Sequence, residues 1–567
     1  MMKSIFLMLL LITASSILDA QPLDEKILEG LTFRSVGPAG MSGRITAIDV
    51  VNSAPEHIYI GSASGGVWES KDGGLEWTPI FDDQPALSIG AIKINQQNPS
   101  EIWVGTGEGN PRNSLNTGKG LFRSLDGGKT WKNMGLSNTY VIHRIAIDFH
   151  DPSTIYVGAA GSPWGPNPER GVYKSTDSGN TWNRILFSND TSGVADMVMD
   201  PKNPRKIIAA LYQHIRTPWD FKSGGSGSGL YITYDGGEKW KKITSEEGIP
   251  KGHLGRIGLA IAPSKPDIVY ALIEAKENGL YKSTDGGEHW SLVSTKNIGN
   301  RPFYYHEIYV DPSNENRIWN LYSYVSKSED GGKTFETILD YGKGVHPDHH
   351  AFWIHPDNPN YILDGNDGGF NISRDGGRNW YFCGNIPVGQ FYHLNIDNEY
   401  PYNMYGGMQD NGSWVGPAFV LKAGGIRNQD WRELYFGDGF DVLPKLSDTR
   451  YGWAMSQGGN LTYYDRETGF NEFIKPVHPE GIQLRYNWNA AIAAVPEQDC
   501  GIYYGSQFVH RSLDCGKTWQ IISPDLTTND TLKQKQNKSG GLTLDATNAE
   551  NHTTILCIAP STLYLIF

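Results

Sequence analysis

Ser70-Lys71-Asp72-Gly73-Gly74-Leu75-Glu76-Trp77 is the stretch on which the reading of this chain turns. A hydroxyl residue, an aspartate, two small residues and an aromatic residue at this spacing describe a tight hairpin. The Asp side chain can accept backbone N–H bonds inside the turn, the glycines supply positive φ, and the aromatic ring anchors the turn against the sheet. The run returns at Asp126 with Trp131, Asp177 with Trp182, Asp235 with Trp240 and Asp285 with Trp290, then at Asp330 with Phe335, Asp375 with Trp380 and Asp514 with Trp519. A catalytic acid is needed once or twice and not in every repeat, so these aspartates read as structural.

Working outward, the copies from Asp72 to Asp375 recur about every 50 residues, and the gap from Asp375 to Asp514 holds two further units without the box. Each unit also has an upstream half, as in Arg144-Ile-Ala-Ile-Asp148 through a Pro/Ser turn to Ile155-Tyr-Val-Gly158: an alternating apolar strand, a turn, then a second strand ending in Gly. Four short strands per unit make a propeller blade. Blades are expected to start near residues 43, 87, 140, 192, 254, 303, 345, 391, 440 and 486, with an eleventh opening at His552–Pro560 and stopping, so that the C-terminal end looks truncated. The expected fold is all-β: a seven-bladed β-propeller over 31–384 and an incomplete second ring over 385–567, with a single ten-bladed ring as the alternative.

Composition agrees with a globular exported protein. With 38% hydrophobic and 12% aromatic residues there is enough to build cores, and 67 Gly without a Gly-X-Y period exclude collagen. A formal charge of −13, from 62 acidic and 49 basic residues, lacks the basic footprint that phosphate backbones require, so nucleic acid is not an expected partner. Residues 1–20 have the layout of a cleaved signal peptide, with Lys3, an apolar run from Ile5 to Ile12 and small residues before Gln21. Secretion or a periplasmic location follows as the expectation, with no membrane anchor. Four cysteines without CxxC spacing exclude a zinc ribbon and a disulfide scaffold. Cys500 and Cys515 can pair if their two turns lie at the same end of one sheet, and free buried thiols are the simpler reading.

These motifs resemble the Asp-box, or BNR-repeat, propellers, which include sialidases, xyloglucanase-type glycoside hydrolases with two seven-bladed rings, and the ten-bladed sortilin ectodomain. The nearest resemblance is to exported bacterial proteins labelled sortilin-like or glycosyl-hydrolase-like, through Phe33–Arg44, Gly365-Asn-Asp-Gly-Gly369 and Gly407-Met-Gln-Asp-Asn-Gly-Ser-Trp414. The resemblance is specific for fold and weak for activity. Xyloglucanase-type enzymes carry a catalytic Asp in a first-blade loop resembling Thr-Asp-x-Gly-Gly. The matching Gly61-Ser-Ala-Ser-Gly65-Gly66 has no carboxylate, and Asp410 is offset by one position from that pattern. Arg44, Arg144 and Arg256 recur at inner-strand starts, where capping of strand ends is their simpler role.

Chemistry is expected on the face opposite the box turns, which carries the loop between the second and third strands. Three insertions there, Thr106–Gly118, Ala159–Arg170 and Tyr212–Gly227, hold Glu108, Arg112, Trp164, His214, Arg216 and Trp219, a mixture suited either to sugar rings and hydroxyls or to covering the channel mouth with Trp164 and Trp219 packed on their own loops. Asp367 and Asp410 occupy the same short loop in consecutive blades, with His350 and His393 near the starts of the inner strands. Two carboxyls with histidines serve three readings: a glycan acid and base, for which Asp367 and Asp410 are the candidate catalytic pair; a divalent metal site; or Gly-rich turns fixed by Asp. The expected function is recognition of an extracellular polysaccharide, with hydrolysis open and no cofactor required beyond the metal alternative. The rival is a sortilin-like module that binds a peptide or protein without chemistry, although four scattered cysteines cannot supply the cysteine-rich module of sortilin ectodomains.

Overall fold

The computed structural model describes residues 25–28, 30–31, 34–37, 41–545, 547, 549 and 551–561. The expected signal segment 1–20 lies outside them. The chain divides into two units, Met1–Val36 and Gly37–Phe567. Within the first, the described residues form one 3-10 turn, Glu25–Leu28.

The second unit is built of strands. Its described residues form ten antiparallel sheets, spanning 45–79, 89–133, 142–186, 192–243, 257–294, 307–339, 349–382, 391–435, 439–473 and 492–521, called here sheets 1 to 10. In each, the four strands pair with their sequence neighbours, as Ile45–Val50, Ile58–Ser62, Val67–Ser70 and Thr78–Pro79 do in sheet 1. Their first strands begin within about six residues of the expected blade starts. This is the all-β propeller that the repeat implied. Sheet 4 is larger: the strand Asn203–Thr217 runs on into a hairpin with Asp220–Ser223, which takes Gly540–Gly541 alongside it in parallel.

The box turns are built as their residue types dictate. At Asp177 the Ser175 hydroxyl donates to Asp177 Oδ1 (2.7 Å), the Gly179 N–H donates to Ser175 Oγ (2.8 Å), and the Thr181 N–H donates to Asp177 Oδ1 (2.9 Å). These bonds to the ionised form hold the carboxyl down at about 2. A backbone bond then ties the box turn to the turn between the first two strands, from Gly73 N–H to Glu56 O, Gly286 N–H to Asp267 O and, in sheet 10, Cys515 N–H to Cys500 O. That bond puts both turns at one end of the sheet, and Cys500 and Cys515 form a disulfide there, 15 residues apart. Cys383 is free and buried.

Apolar cores lie between successive sheets. Ile89, Ile92 and Val104 of sheet 2 meet Val67 and Tyr59 of sheet 1, and similar cores follow to sheet 7. Sheet 7 packs in turn on sheet 1, where Leu363, Phe370 and Ile372 meet Ile45, Ile58 and Ile60. Sheets 8, 9 and 10 share two further cores. The Gly that ends many second strands has a packing reason: a Cβ at Gly61 would stand 2.4 Å from Ile89 Cγ2, and one at Gly105 2.4 Å from Ile142 Cγ2. The expected eleventh strand is not formed, since residues 551–561 carry no strand. Ile555 nevertheless lies against Gly505 as Ile89 lies against Gly61, with its N–H donating to Ser506 O at 2.8 Å.

Candidate functional site

Arg44, the residue before the innermost strand of sheet 1, is the centre of the site. Its side chain is 1% exposed. Nε donates to Asp367 Oδ1 (2.8 Å), Nη1 to Glu108 Oε1 (2.9 Å), and Nη2 to Asp367 Oδ2 and Asp410 Oδ2 (both 3.4 Å). One guanidinium therefore gathers carboxyls from the loops of sheets 2, 7 and 8. The same arrangement explains why those loops approach: an unpaired guanidinium here would be a buried charge without compensation.

A second layer surrounds it. Tyr304, ahead of the inner strand of sheet 6, donates its hydroxyl to Asp367 Oδ2 at 3.0 Å, and Arg112 lies over its ring at 4.9 Å. His350 Nε2 is 2.8 Å from Asp367 Oδ1, and the other ring nitrogen of His350 meets Asn110 Nδ2 at 3.1 Å. Arg256 donates to Asn110 Oδ1 (2.7 Å) and Glu307 Oε1 (2.8 Å). Arg44 and Arg256 thus hold a polar network together, a larger role than capping strand ends, while Arg144 pairs with Asp196 at 2.7 Å.

The two candidate acids have opposite electrostatics. Burial alone would raise the Asp367 carboxyl, but Arg44 and His350 outweigh it and hold it well below the carboxylate range. Asp367 is 1% exposed and does not line the neighbouring cleft. Asp410 keeps a 17% exposed side chain. Burial, with the Asp438 and Asp367 carboxyls adding to it, pushes its carboxyl well above the ordinary range, against the pull of Arg112 and Arg44. Burial also raises Glu108, opposed by Arg44.

Asp410 opens onto a cleft of about 740 Å³ where the loops of sheet 7 face those of sheets 8 and 9. Its walls include Tyr341, His346, Asp348, Phe436, Asp438 and Gln457. Tyr341 and Phe436 are 67% and 71% exposed, so two aromatic rings present themselves at the cleft, Tyr341 with Tyr324 edge-on to it at 5.2 Å. Asp348 (φ 68°) and Asp410 (φ 59°) both sit in the left-handed region. That conformation is uncommon for residues other than Gly and is concentrated at sites where geometry is enforced. The Asp410 turn is held by its N–H donating to Asp438 Oδ1 (2.7 Å) and its carbonyl meeting His346 Nε2 (3.1 Å).

Oxygens of Asp348, Asp367 and Asp410 lie within 4.8 Å of one another and form, among the described residues, the group that could hold a divalent cation. The donor set does not fit one. Arg44 already neutralises Asp367 and reaches Asp410, and Arg112 stands 3.7 Å from Asp410, so two fixed cations occupy the electrostatic role of a metal.

The expected site residues separate into two groups. Glu108, Arg112, His350, Asp367 and Asp410 converge on Arg44. The others are elsewhere. Trp164 is 43% exposed and does not line the cleft. His214 is buried against Tyr212 with its imidazole held neutral by burial and nearby arginines. Arg216 and Trp219, expected to face a sugar, are instead covered by the chain's own C-terminal segment, through Asp545 and through His552 and Lys533. His393 meets Asn489 Nδ2 at 2.7 Å and lies 3.7 Å from Asp441, on the side of sheets 8 to 10. Tyr304, Tyr341 and Gln457 escaped sequence reasoning because none belongs to a repeated motif. The recurrence of Arg at inner-strand starts was the one signal that pointed at Arg44.

Residues 119–248 match the Sortilin-Vps10 family model, described as sortilin, neurotensin receptor 3. A xyloglucanase of a Paenibacillus species is 23% identical over 273 residues, 43% of this chain and 25% of that protein. An oligoxyloglucan-reducing end-specific xyloglucanase of Emericella nidulans is 31% identical over 177 residues, 30% of this chain and 20% of that protein. The alignments thus span about a quarter of the length of these curated relatives. Among solved structures, an ancestral GH74 enzyme superposes with TM-score 0.59 at 15% identity, covering 88% of this chain and 72% of that one. The Niastella koreensis GH74 enzyme does so at 0.50 and 16%, covering 87% and 86%. The chain thus has the β-propeller fold of these enzymes, and its residues 119–248 are similar to the sortilin family model.

Proposed function

We propose that this protein is an exported propeller that binds an uncharged polysaccharide in the cleft between the loops of sheet 7 and those of sheets 8 and 9. Residues 31–384 are read as one ring and 385–567 as part of a second, with the cleft at their junction. The observation that carries the reading is the composition of that cleft. Exposed Tyr341 and Phe436 offer flat apolar faces to sugar rings, and Asp348, Asp410, Asp438 and Gln457 offer hydroxyl partners. Its lining contains three aspartates and, among the described residues, neither Lys nor Arg. Asp348 and Asp438 would repel uronates and sulfated glycans, and no lining cation attracts them, so neutral chains fit. Xyloglucan is the first to test, because the curated relatives are xyloglucanases.

If the protein also hydrolyses its ligand, Asp410 is the proton donor. Burial and the neighbouring carboxyls push its carboxyl well above the ordinary range, the direction in which a general acid is tuned. Asp348, whose oxygen lies within 4.8 Å of that of Asp410, is the second carboxyl. At that separation it would be the nucleophile: an Asp348 oxygen bonds to the anomeric carbon as the glycosidic bond breaks and Asp410 protonates the leaving oxygen. Water, deprotonated by Asp410, then hydrolyses the glycosyl ester and restores both carboxyls. Asp367, sealed behind Arg44, is a positioning residue: it fixes the guanidinium and raises the Asp410 carboxyl through its own charge.

Affinity electrophoresis in gels containing xyloglucan, polygalacturonate or no glycan tests the binding. Retardation by xyloglucan alone is expected, lost in Tyr341→Ala/Phe436→Ala. Equal migration in all three gels, or retardation by polygalacturonate, sinks the reading.

A further inference from the structure

Two side chains of the cleft are held by the backbone in fixed directions. Phe436, Gly437 and Asp438 join the outer strand of sheet 8, Arg432–Tyr435, to the inner strand of sheet 9, Gly439–Pro444, and Gln457 stands in the loop that follows the second strand of sheet 9, Tyr451–Ser456. The Asp438 N–H donates to Gln457 Oε1 (2.9 Å), and the Asp410 N–H donates to Asp438 Oδ1 (2.7 Å). A backbone N–H requires an acceptor, so each bond settles which atom of the side chain is engaged. Gln457 turns its oxygen to the backbone and its Nε2 away. Asp438 engages Oδ1 and keeps Oδ2. No bond within the described residues uses either remaining atom, and neither is among the buried unpaired ones. Both residues line the cleft, so one N–H donor and one carboxyl acceptor are left for a ligand. Gly437 (φ 118°) permits the approach, since a Cβ there would stand 2.7 Å from Gln457 Oε1.

With the cleft as the glycan site, on which this assignment rests, we infer that Asp438 and Gln457 set its specificity: they read two adjacent equatorial hydroxyls on the edge of a pyranose stacked on Phe436. A hydroxyl both donates and accepts, so a neighbouring pair of them answers one donor and one acceptor together. A ring lying flat on Phe436 holds its equatorial hydroxyls in its own plane, at the edge, and Asp438 is two residues from that aromatic face. In a β-1,4-linked pyranose chain the free adjacent pair is at C2 and C3. Both hydroxyls are equatorial in glucan and xylan, whereas in mannan the 2-hydroxyl is axial and stands off the ring face. There it would obstruct stacking and leave one of the two side chains without a partner, and polar groups left unpaired in a site are what reject a close analogue. The pair therefore admits gluco- and xylo-configured chains and excludes manno-configured ones.

Isothermal titration of the full chain with cellohexaose, xylohexaose and mannohexaose tests the assignment. Cellohexaose and xylohexaose should bind alike, and mannohexaose about tenfold more weakly. Gln457→Glu keeps the oxygen that the Asp438 N–H needs and exchanges only the donor for an acceptor, so it should cost about tenfold in cellohexaose affinity. Asp438→Asn keeps the oxygen that the Asp410 N–H needs and should cost as much. In Asp438→Asn/Gln457→Glu the donor and the acceptor have changed places, and because a hydroxyl serves either, cellohexaose affinity should return to within about threefold of the parent chain. Equal binding of all three sugars by the parent chain, single variants that bind cellohexaose as the parent does, or a double variant no better than the singles would each overturn the assignment while leaving the cleft a glycan site. Failure of the parent chain to bind any of the three sugars would remove the cleft reading and the pair with it.

Discussion

Replacing Arg44 by Met removes one guanidinium and keeps the apolar stem, which makes it a clean probe of the ion network. Arg44 and its two best-paired carboxylates, Glu108 and Asp367, are each 1% exposed, and Asp410 adds a weaker third contact. Surface pairs contribute about 0 to 1 kcal/mol, whereas removing one partner of a buried pair destabilises by about 3–5 kcal/mol because the other charge is left without compensation. Asp367 retains Tyr304 and His350, so most of the loss falls on Glu108. The Arg44→Met chain should therefore lose about 3–5 kcal/mol at pH 7, read as a lower urea midpoint by tryptophan fluorescence with the slope unchanged. Adding Glu108→Gln should restore at least about 1 kcal/mol, since the orphaned charge is then gone. The deficit should also shrink toward pH 5: Glu108 is already raised by burial, and without Arg44 it takes up a proton instead of remaining an isolated anion. A loss below about 1 kcal/mol, or a double variant no more stable than the single one, would refute the assignment of Arg44 as the charge that holds these loops.

Asp410→Asn removes a carboxyl whose ionisation burial, Asp438 and Asp367 oppose, so it should abolish glycan cleavage while leaving the melting temperature unchanged or slightly higher; a clear drop would show that Asp410 is structural. The box carboxyls Asp126, Asp177, Asp330 and Asp514 are held at about 2 by hydrogen bonds to their charged form. Their folded values are depressed, so their contribution is complete above about pH 4 and fades as pH falls toward 2. Asp177→Ala should accordingly flatten the acid limb of a pH–melting curve and change nothing between pH 5 and 7 except a constant offset. The Cys500–Cys515 bond closes a 15-residue loop, and its reduction should destabilise sheet 10 by about 3 kcal/mol, seen as faster amide exchange confined to residues 492–521. Leu363→Ala, in the core joining sheets 7 and 1, should lose about 2–5 kcal/mol; a smaller effect would mean that this core is not close-packed.

Legibility followed the range of the interactions. The box at Asp72 is readable because the residues that bond to the carboxylate, Ser70, Leu75 and Glu76, lie within four positions of it. Strand starts were readable for the same reason, since alternation of apolar residues is a local pattern. The loop face was readable one step further on, because strand alternation fixes which turns share a side, and this brought Asp367 and Asp410 together on paper. The roles of the insertions were not readable. Nothing near Arg216 announces that Asp545 will cover it, and nothing near Trp219 announces Lys533.

The amino-acid sequence by itself determined the unit of this protein, a four-stranded sheet closed by an Asp-anchored turn, its repetition, and the side of each sheet on which loops would gather. Tertiary structure alone decided that the two candidate carboxyls are shifted in opposite directions. Asp367 and Asp410 are both aspartates in short Gly-rich turns, but Arg44 reaches them across 323 and 366 residues of sequence. One receives the closer pairing with Arg44, which holds its carboxyl well below the ordinary range, and the other sits beside Asp438, where burial and the neighbouring carboxyls push it well above that range. Protonation state depends on burial and on charges a few ångströms away, and such neighbours exist only once the sheets have packed.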